Sequence, residues 1–115
     1  MRFLLFSFLF LISFLSWGGC ADINAAAENE QVLIPSDESG YVVSDRERVY
    51  FYSAPDESCK IKGVFIINGD FVNSYADYQG FTSVMYFKKN GDVVNGWVHS
   101  KSLKPTGTGV GPSEQ

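Results

Sequence analysis

Hydrophobic residues along this chain fall into two regimes. From Phe3 to Trp17 they are almost continuous, interrupted only by Ser7, Ser13 and Ser16. From Tyr41 onward they arrive in short β-branched and aromatic runs, each closed by turn chemistry. Tyr41-Val42-Val43 runs into Ser44-Asp45-Arg46-Glu47, and Val49-Tyr50-Phe51-Tyr52 into Ser53-Ala54-Pro55-Asp56. Val64 to Ile67 ends at Asn68-Gly69-Asp70, Phe71 to Ala76 at Asp77-Tyr78-Gln79-Gly80, and Thr82 to Phe87 at Lys88-Lys89-Asn90-Gly91-Asp92, before Val93 to Val98. Runs of this length between Gly, Pro, Asn and Asp predict five or six short strands. Asn90-Gly91 between two such runs is the strongest hairpin signal. No window sustains a 3.6-residue period, so no helix is expected. The pattern predicts an all-β fold over 41–105, a small barrel or half-open sandwich.

The remaining segments are organised around that domain. Arg2 is the only charge before Asp22, and the apolar run gives way to Gly18, Gly19, Cys20 and Ala21. A basic start, an apolar stretch of about 15 residues and small residues after it make the layout of a secretory signal. The run is shorter than the roughly 20 residues that span a bilayer. Residues 1–20 are therefore expected to be a signal sequence, which exports the chain to the periplasm or to a membrane-anchored position facing it. Residues 21–40 are polar and patternless and read as a flexible tether; the Gly-rich 106–115 reads as a flexible tail.

Removing the signal changes the charge balance. Arg2 is the only one of nine Lys and Arg to leave, so eight basic side chains face thirteen acidic ones, a net charge of about −5. An acidic domain repels a polyphosphate, which argues against nucleic acid as partner. No Lys/Arg cluster offers a foothold on an anionic membrane. Twelve aromatics remain after Ala21, and most are expected to fill the core of a small domain.

The two cysteines are Cys20 and Cys59. Ser16-Trp17-Gly18-Gly19-Cys20 resembles the lipobox of bacterial lipoproteins, although Trp17 stands where Leu is usual. The resemblance implies acylation of Cys20 after cleavage before it, which would give the chain a membrane anchor. Ordinary signal-peptidase cleavage after Ala21 or within Ala25-Ala26-Ala27 is the other reading. With Cys20 acylated, Cys59 is a single thiol and reads as a small buried hydrophobe; with Cys20 retained and free, the two can form a disulfide.

Three segments together resemble the bacterial SH3-like (SH3b) pattern. They are Val49-Tyr50-Phe51-Tyr52-Ser53-Ala54-Pro55, the stretch Gly63 to Val72 around Asn68-Gly69-Asp70, and Gly80-Phe81-Thr82-Ser83-Val84 with the later Gly96-Trp97-Val98 and Leu103. The resemblance implies an SH3-like barrel of five or six strands, a non-enzymatic module of extracytoplasmic proteins that binds peptidoglycan or a protein. Tyr50 and Tyr52 stand where the family has polar residues, and Phe81 where it has Trp. With Val49 and Phe51 pointing inward, strand alternation turns Tyr50 and Tyr52 outward. Tyr50, Tyr52, Tyr75, Tyr78 and Phe81 are thus the candidate binding residues, unless the barrel edge or the tether covers them.

The chemistry of catalysis is sparse. One histidine and no Cys-x-x-Cys disfavour a zinc site, and Asn68-Gly69-Asp70 lacks the calcium-loop ligand pattern. His99 reads as a surface residue at a strand end, and Asp45/Glu47 and Asp56/Glu57 as solvated turn charges. No enzyme and no cofactor are expected. Two functional readings follow: an envelope module that recognises wall material or an envelope protein, and a periplasmic inhibitor or immunity protein that caps a toxin or lysozyme-like enzyme.

Overall fold

A computed structural model describes residues 19–108. The expected signal run before Gly19 and most of the expected tail lie outside the described residues. Among the described residues one helix precedes eight strands: α1 (Cys20–Glu30), β1 (Val32–Leu33), β2 (Gly40–Val43), β3 (Val49–Tyr52), β4 (Lys60–Ile66), β5 (Phe71–Tyr78), β6 (Phe81–Phe87), β7 (Val93–His99) and β8 (Leu103–Pro105). Short 3₁₀ turns occupy Ser36–Glu38, Glu57–Cys59 and Ser100–Ser102. Among the described residues no helix is long and apolar enough to cross a membrane.

All strands belong to one antiparallel sheet in the order β4-β3-β7-β6-β5-β2-β8, with β1 added beside β5. The sheet curls into a half-barrel. Every one of the six β-rich runs forms a strand, and the all-β expectation holds. The strand count is higher than five or six because β1 and β8 extend it. β1 and β2 share one edge of β5: Leu33 lies opposite Ala76, and Tyr41 opposite Val72.

The turns set the registers. β5 and β6 join through Gln79-Gly80, both at positive φ (46° and 87°), with Tyr78 opposite Phe81. Two left-handed residues between antiparallel strands make a turn whose twist matches theirs. At the Asn90-Gly91 hairpin, Lys88 N–H donates to the Asp92 carbonyl at 2.8 Å and Gly91 N–H to the Lys88 carbonyl at 3.0 Å. The connection is therefore a three-residue loop with Gly91 left-handed, rather than a two-residue turn.

Inside the curl, alternate residues build one core of Val43, Val49, Phe51, Ile66, Val72, Val84, Val98 and Leu103. Phe51 is fully buried, and β7 passes close over it. A Cβ on Gly96 would sit 3.0 Å from Phe51 Cδ2 and 3.1 Å from the Tyr52 carbonyl oxygen. Gly96 is thus the residue that lets β7 approach β3. Gly96→Ala is expected to cost about 1–3 kcal/mol through overpacking, read as a lower urea midpoint at unchanged slope.

The segment 21–40 departs from the expected tether. Cys20–Glu30 is helical, and Gln31 N–H closes it on the Ala27 carbonyl at 2.8 Å. Cys20, Asn24 and Ala27 lie three and four residues apart and share one face. That face rests on the outer side of the sheet, where Ala27 is fully buried. Tertiary contact holds the helix, since 11 residues is short for a helix standing alone in water.

The expected tail also begins with structure. The Thr106 hydroxyl and N–H both donate to the Gly40 carbonyl at 2.9 Å, and Gly40 N–H donates to the Thr108 carbonyl at 3.0 Å.

Candidate functional site

Strand alternation sends Tyr50 and Tyr52 of β3, Phe81 of β6 and Trp97 of β7 to the outer face. Registers then bring them together. Tyr52 lies opposite Trp97, Trp97 opposite Ser83, and Phe81 opposite His99. Tyr52 meets Phe81 edge to face at 5.2 Å, and Phe81 stacks on the His99 ring at 4.6 Å. Tyr50 and Tyr78 pack against this cluster, with Tyr50 also meeting Phe65 edge on at 5.7 Å. Of the five candidate binding residues, four therefore join one assembly.

Exposure is a different matter. Tyr52 is 3% exposed and Phe81 7%. The orientation expected from alternation is correct, but Tyr52 and Phe81 are buried in a cluster shared with α1, while Tyr50 and Tyr78 at its margin stay half-buried. Trp97 Nε1 donates to Asn24 Oδ1 at 2.7 Å, and Ala27 is buried in one cluster with Tyr52, Phe81 and Trp97. Buried indole N–H groups require an acceptor, and Asn24 supplies it. Tyr75 stands apart, in a β5 bulge opposite β6. Its hydroxyl receives a hydrogen bond from Asn73 Nδ2 at 3.1 Å and lies 3.3 Å from Met85 Sδ.

A polar trio borders the cluster. His99 Nε2 lies 2.8 Å from Glu57 Oε2 and 3.2 Å from the Tyr52 hydroxyl, which donates to Glu57 Oε1 at 3.3 Å. Burial, reinforced by the nearby Glu57 carboxylate, pushes the Tyr52 phenol above its ordinary range. His99 is thus less of a free surface residue than its place at a strand end suggests. The acidic pairs in the turns have local roles. Asp45 accepts from Glu47 N–H at 3.0 Å and from the Ser102 hydroxyl at 2.7 Å, and these bonds lower its pKa. Asp56 accepts from Ser58 N–H and its hydroxyl, with the same consequence.

Cys20 at the start of α1 is bonded to Cys59 before β4, with an S–S distance of 2.14 Å. A lipid thioether and a disulfide are mutually exclusive uses of one sulfur, so the disulfide stands where acylation of Cys20 is the expectation. It likewise replaces the inert thiol expected at Cys59. Cleavage after Ala21 or within Ala25-Ala26-Ala27 would remove the Cys20 half of the bond.

No family model matches this chain, and no curated protein or solved structure matches it. The site is therefore read from its own geometry.

The rest of the outer face carries a second feature. Phe71 and Phe87 extend the Asn73–Met85 pair by two residues on their respective strands, Phe87 lies opposite Val93, and Phe71 opposite Val42. These registers align Phe71, Phe87 and Val93 in a row across β5, β6 and β7, on the same face as α1. They are 69%, 56% and 44% exposed. Lys88 and Lys89 follow Phe87, and Lys104 lies opposite Val42. Nothing in the residue runs singles out this row, because three strands must be placed in register before it exists. Trp97 and Asn24 escape the list of candidates for a related reason: their partnership spans 73 positions of sequence.

Proposed function

We propose that this chain is an exported, non-catalytic binding module, an SH3-like half-barrel, that docks a protein of the cell envelope through the uncovered half of its outer face. The observation that carries the reading is the exposed Phe71–Phe87–Val93 row. Contiguous apolar side chains on the surface of a small domain mark interaction sites, and aromatic anchors with a polar rim suit a protein interface. The flanking charge is mixed: Lys88 and Lys89 follow Phe87 and Lys104 lies opposite Val42, while Asp70 precedes Phe71 and Asp92 precedes Val93. The complementary partner presents apolar side chains within a rim of both charges. Wall glycan fits less well, since it offers hydroxyls where the row offers hydrocarbon. The inhibitor reading draws on net acidity, which the mixed rim of this row does not concentrate. The Cys20–Cys59 disulfide supports the exported part of the reading, because such bonds persist in oxidising compartments.

The test is the double variant Phe71→Ser/Phe87→Ser. Both side chains are exposed, so stability is expected to shift by no more than about 0.5 kcal/mol for each change. Binding to an envelope protein retained by the unmodified chain is expected to weaken at least about tenfold, since interface anchors commonly contribute more than 1 kcal/mol each. Equal retention by both chains would sink the docking surface. Retention on protein-free sacculi would move the reading to the wall itself.

A further inference from the structure

The helix that covers the aromatic cluster is held at one end by a bond that chemistry can open. We propose that α1 is a redox-released cover: reduction of Cys20–Cys59 frees it to lift from the sheet and expose Tyr52, Phe81 and Trp97. The inference does not rest on the proposed docking row, although lifting α1 would extend that row along the same face.

Three observations carry it. First, α1 is poorly equipped to persist alone. It has 11 residues, Gly19 at its N-cap makes no side-chain cap, and its last turn has no basic residue. Glu28 and Glu30 instead place acidic charge at the negative end of the helix dipole. Second, the noncovalent hold is narrow: among α1 residues only Ala27 is buried, and Asn24 is the one that hydrogen-bonds the sheet, through the Trp97 indole. Third, the sheet does not need the helix to close. The core of Val43, Val49, Phe51, Ile66, Val72, Val84, Val98 and Leu103 lies on the other side and contains no α1 residue. The described structure thus sets an inner core free of helix residues beside a cover held by the disulfide at its start, by Asn24 and Ala27 in its middle, and by β1 on β5 just beyond its end.

The bond is asymmetric in access. Cys59 is 4% exposed, whereas Cys20 at the helix start is half-buried. A dithiol reductant is therefore directed to Cys20. Its thiolate attacks Cys20 Sγ, the S–S bond breaks, and Cys59 leaves as a thiolate that takes up a proton. The second thiol of the reductant then attacks its own sulfur in the mixed disulfide and expels Cys20. Two electrons pass from the dithiol to the cysteine pair, and the reductant leaves as a cyclic disulfide.

Hydrogen exchange of the full chain, oxidised and then reduced with dithiothreitol, tests this directly. Reduction is expected to remove amide protection across residues 20–31 by at least tenfold while β3, β6 and β7 keep theirs, and to create binding of a hydrophobic dye. The Cys20→Ser variant should behave as the reduced chain without any reductant, which covers the case of a bond slow to reduce. Retained protection over 20–31 in that variant would show that packing alone holds the helix. Loss of protection in the strands as well would make the disulfide a staple of the whole fold. Either result overturns the proposal.

Discussion

Truncating Phe51 to Ala is expected to lower stability by about 3–5 kcal/mol. Phe51 is fully buried at the centre of the inner core, with Val49, Ile66, Val84 and Val98 in the same cluster. Removal of the ring loses its transfer free energy and leaves a cavity. The surroundings are poorly able to collapse, because β7 already approaches β3 at Gly96 as closely as its missing Cβ permits. Small domains are stable by only about 5–15 kcal/mol, so a loss of this size moves the urea midpoint far to the left. Phe51→Leu, which keeps most of the volume, should recover the greater part. A loss below about 1 kcal/mol for the Ala variant would place the true core elsewhere.

The comparison with Tyr52, the next residue, shows what a strand reveals before it is folded. Alternation alone separates Val49 and Phe51 from Tyr50 and Tyr52, and the structure agrees with that division. What lies over the second face is not encoded in β3. The cover comes from α1, where Ala27 is buried and Cys20, Ile23 and Asn24 are half-buried on the same side. Ile23 is the one large apolar side chain among them, too little to mark a stripe at helical period, so the segment reads as a polar tether. Its helicity is a tertiary effect, anchored by a disulfide and by one indole–amide hydrogen bond. The Phe71–Phe87–Val93 row is hidden for another reason. Each residue is visible as a strand former, but their alignment depends on the Gln79-Gly80 turn and the three-residue loop at Gly91, which fix the registers. Replacing Tyr50 and Tyr52 together by Ser, harmless were both exposed, now removes a buried ring from beneath α1.

Loss of the disulfide is the second large effect, and its size bears on how the helix is held. The bond closes a loop with a separation of 39 residues, and loop-closure entropy predicts that the unfolded chain regains about 4 kcal/mol of freedom when it is absent. That full amount appears as lost stability only if α1 remains docked in the folded Cys20→Ser/Cys59→Ser chain. A helix that lifts recovers freedom in the folded state as well, which offsets part of the gain of the unfolded state. The expected result is therefore a loss clearly below 4 kcal/mol, measured by urea unfolding of the strands through far-ultraviolet circular dichroism. A dye reporting the Tyr52–Phe81–Trp97 surface should bind this variant before any urea is added rather than at that transition, because the cover then opens separately from the sheet. Coincident transitions together with the full loss would instead tie α1 and the sheet into one cooperative unit.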